Sequence, residues 1–399
     1  MSSDSGHAAP PVSAAPPAKR ARKTARSSVS SSSSTPPLGK FLASSDKLTR
    51  DKAVASLSRF LSAGRLNHLG PLAKPDDAAN GREKDEELPV GDLDWDEEYE
   101  VDARLAPVEM AKLWKGIYYC FWMTDKPVVQ QALAQNLADL TLDVRPRSKA
   151  RNGRVERFRS ALAYLRGFWE AIIREWSTLD HHRLDKFLLL IRRFTHVGFR
   201  LLEREEWDPR AIEEYNEMLS GLGGPLNVTN DKVPTSVAYH LFDIYLDEIE
   251  RLASSPAEEE DSTSRHLPLV ALLAPMYATA ARAPSQVMFT RLADNVFTPL
   301  LDALLPPKPE PRAKRRRGAA GRAKEPAYPA IRAAAIEGRD AFAAVAGQEE
   351  EPAPAAVAEV IGKKVLRRLF EEGGKEETGE PQRRRIYNFV TARDVDFEE

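Results

Sequence analysis

The side chains best able to do chemistry lie in one acidic stretch, 75–102, where Asp92, Asp94 and Asp96 alternate among Asp85, Glu86, Glu87, Glu97, Glu98 and Glu100. Alternating carboxylates open a calcium loop, but the glycine such a loop requires is Glu97 here, and the twelfth position from Asp92, where a bidentate carboxylate belongs, is Ala103. A metal-dependent phosphodiester hydrolase would use the same carboxylates, yet it needs them on rigid elements, and these share a polar segment with no histidine nearby. The favoured expectation is a solvated acidic insert in which Trp95 and Tyr99 anchor on the body or on a basic partner.

Other catalytic patterns are absent. The sequence has no Gly-rich phosphate loop, no G-x-S-x-G, no H-E-x-x-H and no Cys/His cluster. The single cysteine, Cys120, cannot form an intramolecular disulfide and falls within an apolar run, which predicts a buried, inert thiol. His181 and His182 are adjacent, so on a helix they point apart and lack the i, i+4 spacing of a metal pair. These observations predict a protein with no enzymatic activity, metal, cofactor or small-molecule substrate, one that acts through its surface. The candidate surface is a cationic ridge: Lys186, Arg193 and Arg200 recur every seven residues, with Arg183 and Arg192 beside them. Such a ridge suits a phosphate or an acidic partner; the alternative is a solvated face paired with Asp180, Asp185 and Glu203.

The elements that carry these residues read as helices. In 112–127, Leu113, Ile117 and Phe121 form one stripe and Trp114, Tyr118 and Trp122 a second, so this helix must be covered on most sides. Thr124 or Asp125 is the expected N-cap of the next helix, with Pro127 in its first turn. Phe158, Leu162, Leu165, Trp169, Ile172 and Trp176 share one helix face. A third helix over 182–204 turns Leu184, Phe187, Leu188, Ile191, Phe194 and Leu202 inward and carries the ridge. Further helices are expected over 234–253, 267–281 and 285–305.

No β-type alternation is convincing. The expected fold is all-α, an irregular helical-repeat (HEAT/armadillo-like) solenoid with disordered basic tails, although a compact bundle shares its pattern and no repeat length is exact. The expected organisation is a disordered Ser-rich basic tail over 1–37, a helical body over 38–305 containing the acidic insert, and a basic, mostly disordered tail with short helices over 306–399.

With 29 prolines and 30% charged residues in 399, part of the chain is expected not to fold. The formal net charge of −2 makes no argument for nucleic acid, but charge is segregated locally. Lys19, Arg20, Arg22 and Lys23 form one basic cluster and Lys314, Arg315, Arg316 and Arg317 another, each a candidate nuclear import signal. The first forty residues contain no apolar signal core, and no apolar run approaches the ~18 residues of a membrane span, so a soluble, intracellular protein with no membrane partner is expected.

Two phrases carry a resemblance. Leu113-Trp114-Lys115-Gly116-Ile117-Tyr118-Tyr119-Cys120-Phe121-Trp122-Met123 with Asp125-Lys126-Pro127, and Leu184-Asp185-Lys186-Phe187 with Ile191-Arg192-Arg193-Phe194, resemble the ribosomal RNA processing protein 1 family. Leu48 to Ala53, Phe168-Trp169 with Arg174-Glu175-Trp176, and His240 to Leu246 match in the same order, over about 38–252. The resemblance implies a non-catalytic factor of the nucleus and nucleolus. Its implied partners are the pre-60S particle and other large-subunit assembly factors, and its implied role is precursor rRNA processing at the internal transcribed spacers. Whether it touches pre-rRNA directly stays open. Trp114, Tyr118, Phe121, Trp122, Phe187 and Phe194 are then signature core, and Lys186, Arg192 and Arg193 are the signature residues expected to be exposed. A hydrolase acting through the acidic insert and a nuclear adaptor unrelated to ribosomes are the competing readings.

Overall fold

Prolines and capping side chains set where the helices begin. The computed structural model describes residues 38–62, 107–146, 153–255, 267–306, 327–337 and 353–393, and every regular element among them is helical. The first eight helices are α1 (Leu38–Leu42), α2 (Lys47–Ser62), α3 (Pro107–Trp122), α4 (Pro127–Asp143), α5 (Arg154–Glu175), α6 (His181–Arg204), α7 (Pro209–Ser220) and α8 (Thr235–Ala253). Asp46 receives the Thr49 amide at 2.9 Å, Asp180 the Arg183 amide at 3.0 Å and Asp208 the Arg210 amide at 2.8 Å, so acidic caps satisfy donors that the first turns of α2, α6 and α7 leave open. At α4 the expected cap is not used. Lys126 is the N-cap and makes no side-chain bond, while the Thr124 hydroxyl turns back to donate to Cys120 O at 2.9 Å.

From α1 to α8, each helix packs on the one two places further along. One row runs α1, α3, α5, α7 and the other α2, α4, α6, α8. The aromatic residues of α3 fill the space between the rows. Trp114 donates its indole N–H to Tyr164 O at 3.0 Å, with its ring centroid 4.7 Å from that of Tyr164, 5.6 Å from Phe168 and 5.5 Å from Phe194. Phe168 and Phe194 stack at 3.8 Å, and Phe187 lies between Tyr118 and Phe121. Close approach requires glycine at two points: a Cβ on Gly116 would meet the Gly39 backbone at 2.8 Å, and one on Gly167 would lie 2.5 Å from Trp114 Nε1.

The expected single helix over 285–305 is interrupted. It divides into α11 (Gln286–Leu292), a π turn (Ala293–Phe297) and α12 (Thr298–Leu304), after α9 (Leu269–Leu272) and α10 (Ala274–Arg282). Pro299 has no N–H to continue the ladder, and the turn before it widens.

Within the tail over 306–399, where short helices were expected, the described residues form helices. Three more helices belong to the same hydrophobic core: α13 (Pro329–Ile336), α14 (Pro354–Gly374) and α15 (Glu380–Thr391). Glu250 of α8 accepts the first amides of α13, Ala330 N at 2.9 Å and Ile331 N at 2.8 Å. Val357, Ile361, Val365, Leu366 and Leu369 bury one face of α14, which packs on α10, α12 and α13. In α15, Ile386 and Val390 are buried, Arg385 donates to Ala283 O at 3.0 Å, and Arg393, just beyond the helix, reaches Asp302 at 2.9 Å. The amphipathic stripe of α14 is present in the sequence; the face that receives it is assembled from segments far away in the chain.

Candidate functional site

Helix α6 is an interior member of its row, flanked by α4 and α8. That placement decides what its cations touch. Arg183, in the first turn, pairs with the Asp180 carboxylate and lies 3.8 Å above the ring centroid of the half-buried Trp122. Lys186 is only 7% exposed. Its Nζ donates to Trp122 O at 2.7 Å and Thr124 O at 3.0 Å, with an Asp125 oxygen at 3.5 Å, so it caps the C-terminal end of α3. Burial pushes this ammonium's pKa down, and Asp125 opposes the shift. Arg200 donates to Asp139 of α4 at 2.9 Å, and Arg204 to Leu142 O at 2.9 Å.

On the α8 side, Arg192 binds two acids, Asp247 at 3.0 Å through Nη2 and Glu248 through Nε. Glu248 has no exposed surface. His196 Nδ1 lies 3.3 Å from its Oε2 and Arg251 Nη1 3.6 Å from the same oxygen, so three basic side chains converge on one carboxylate. Burial raises the Glu248 carboxyl, but His196 and Arg192 outweigh it and hold the group below its ordinary range.

Arg193 differs from its neighbours. It is half-buried, and its Nε is shielded from solvent with no hydrogen-bond partner. Burial first, then the nearby Arg251 charge, pushes its pKa down. Of the five cations of the expected ridge, Arg183, Lys186, Arg192 and Arg200 are engaged within the molecule, Lys186 buried and the three arginines part-exposed. A helix in the middle of a row has packed flanks, and the residues that look exposed on a helical projection become links to its neighbours. Asp139, Asp247, Glu248, His196 and Arg251 were missed as members of this site. Glu248 alone had a sequence signal, a carboxylate between Tyr245 and Ile249 in an otherwise apolar stripe.

Trp114, Tyr118, Phe121, Phe187 and Phe194 are buried, and Trp122 is partly buried against them. Cys120 is buried, and burial pushes its thiol up to about 11, so it remains protonated near neutral pH. His181 and His182 are exposed, with ring centroids 3.7 Å apart. Among the described residues no group of three His, Cys, Asp or Glu side chains is arranged to hold a metal, and no helix is long and apolar enough to cross a membrane. Lys19, Arg20, Arg22, Lys23, Lys314, Arg315, Arg316, Arg317 and the acidic stretch 75–102 lie outside the described residues.

Residues 33–328 match a family model described as "Nucleolar protein, Nop52". The match extends past the 38–252 region whose phrases carry the resemblance, and it stops before α14. Over 268 residues the chain is 25% identical to human "Ribosomal RNA processing protein 1 homolog A", covering 66% of this chain and 46% of that protein. It is 26% identical over 220 residues to "Ribosomal RNA processing protein 1 homolog" of Dictyostelium discoideum, covering 51% and 40%. A Drosophila melanogaster protein of the same name is 28% identical over 147 residues, covering 37% and 19%. The chain thus spans less than half the length of these curated relatives.

Proposed function

The chain belongs to the Nop52 family of nucleolar proteins, and from that premise we propose that it is a non-catalytic assembly factor of the pre-60S ribosomal particle. In this reading it resides in the nucleolus and is required for precursor rRNA processing at the internal transcribed spacers. The observation that carries the proposal is the family match over 33–328, together with relatives named as ribosomal RNA processing proteins.

The architecture supports a scaffold. The residues behind the resemblance are core aromatics and inter-helix links, so the likeness concerns a framework of packed helices and assigns no reacting group. Packing of each helix on the second one along from α1 to α8 supports a helical-repeat stack of the HEAT/armadillo type, whose lateral faces suit binding to other assembly factors. The two basic clusters serve nuclear import, and pre-rRNA is a further partner they can reach electrostatically.

The test is affinity purification of tagged protein from growing cells, followed by gradient sedimentation and sequencing of bound RNA, with and without mild nuclease. Large-subunit precursors carrying uncut internal spacer are the expected cargo. A light, RNA-free pool overturns the proposal.

A further inference from the structure

We propose that the α6/α8 seam at Arg193 and Arg251 is a docking point for an acidic segment of a protein partner, with a carboxylate held by the guanidiniums and an apolar neighbour seated on Leu189. The proposal rests on the assembly-factor reading, in which the faces of the helical body are contact surfaces.

Three observations carry it. First, among the described residues the charge on the seam is not balanced: Arg192, Arg193 and Arg251 face Asp247 and Glu248, which leaves one guanidinium in excess. Arg193 also senses Asp139 on the α4 side, but that carboxylate is bound by Arg200 at 2.9 Å. Second, the excess is accessible. Arg251 is 46% exposed and held only at 3.6 Å, and Arg193 beside it is part-exposed, although its unpartnered Nε is shielded from solvent. A planar fork of donors fixed in this way matches a carboxylate. Third, Leu189, one turn before Arg193 on the same face, is half-buried and offers an apolar contact next to the charge.

The surroundings favour a peptide over a nucleic-acid backbone. Asp139 and Asp247 are 40% and 42% exposed on either side of the seam. A phosphate chain tracking along α6 would have to pass both, whereas a single acidic side chain need only enter between them.

The test uses the full-length protein and two fluorescent probes, a peptide of alternating Glu and Leu and an oligouridylate of matched charge, with anisotropy read at about 0.1 M salt. Replacing Arg193 and Arg251 together by Ala is expected to weaken peptide binding about tenfold or more and to change oligouridylate binding less than about twofold. Equal peptide affinity in variant and wild type overturns the proposal, as does a loss that falls on the oligouridylate instead. If the double variant loses its near-UV circular dichroism, Arg251→Ala and Arg193→Lys replace it. Each is expected to weaken the peptide alone, and two unchanged affinities overturn the proposal. Sedimentation of the same proteins separates this proposal from the one it rests on. Wild type absent from large-subunit precursors while its peptide binding still depends on Arg193 defeats the assembly-factor reading and leaves the docking point standing. Wild type present in them with Arg-independent peptide binding does the reverse.

Discussion

Replacing Glu248 by Gln tests the buried centre of the α6/α8 interface. Glu248 has no exposed surface and neutralises Arg192, with His196 3.3 Å and Arg251 3.6 Å from its second oxygen. Removing one member of a buried ion pair costs about 3–5 kcal/mol because the other charge is left without compensation. Gln keeps an acceptor for Arg192 Nε, which recovers about 1 kcal/mol, and Asp247 still binds the same guanidinium at 3.0 Å. The expected net loss is about 2–4 kcal/mol, or a fall in melting temperature of at least about 4 °C. The pH dependence has a definite sign. The folded-state pKa of Glu248 lies below its ordinary value of 4.5, so the contribution of the carboxylate is complete above 4.5 and disappears as pH falls through the folded value. The gap between wild type and Glu248→Gln should be present above about pH 5 and should narrow on further acidification. Urea unfolding followed by circular dichroism reads both quantities. A gap under about 0.5 kcal/mol at pH 7, or one that does not narrow in acid, refutes the reasoning.

Gly167→Ala would bring a Cβ to 2.5 Å from Trp114 Nε1 and 2.9 Å from Met110 Cγ; a loss of about 1–3 kcal/mol with altered tryptophan fluorescence is expected, and an unchanged melting curve contradicts the packing described. Ending the chain at residue 352 removes α14 and α15 and with them Val357, Ile361, Val365, Leu366, Leu369, Ile386 and Val390 from the core. At about 1.5–3 kcal/mol for each buried side chain the total, about 10–20 kcal/mol, is comparable with the ~5–15 kcal/mol stability of a typical domain, so the shortened chain should aggregate, and a soluble, cooperatively melting product is the contrary result. Replacing Asp92, Asp94 and Asp96 by Asn should leave spacer-containing rRNA precursors at wild-type levels on northern blots, since a scaffold does not use those carboxylates; their accumulation favours a hydrolase.

The aromatic core was legible because its information is local. Leu113, Ile117 and Phe121 beside Trp114, Tyr118 and Trp122 define a helix covered on most sides, and α3 is such a helix. The caps were only partly legible. The cap expected at Thr124 is not used, because its hydroxyl has the Cys120 carbonyl within reach and donates to it, leaving α4 to start on Lys126 and Pro127. The C-terminal helices were under-read. The stripe in α14 was visible, but whether an amphipathic helix docks depends on an apolar face waiting for it, and that face comes from α10, α12 and α13.

The ridge shows where reading a single helix stops being sufficient. A helical projection sorts residues into an apolar stripe and a polar remainder, and for a helix at the edge of a fold the remainder meets solvent. Helix α6 has neighbours on both flanks, so its polar remainder is divided again. Arg183, Lys186 and Arg200 turn toward α3 and α4, Arg192 and His196 toward α8, and each partner lies fifty or more residues away except the Asp180 cap. The narrow strip left between the flanks retains Arg193 with its unpartnered Nε. The same reasoning sharpens a choice of mutation. Reversing Arg200 to Glu sets a carboxylate against Asp139 and weakens the α4/α6 contact, so any loss of binding would be mixed with a loss of stability. A change at Arg193 breaks no counter-ion contact, and a binding defect there with an unchanged melting temperature reports on the surface itself.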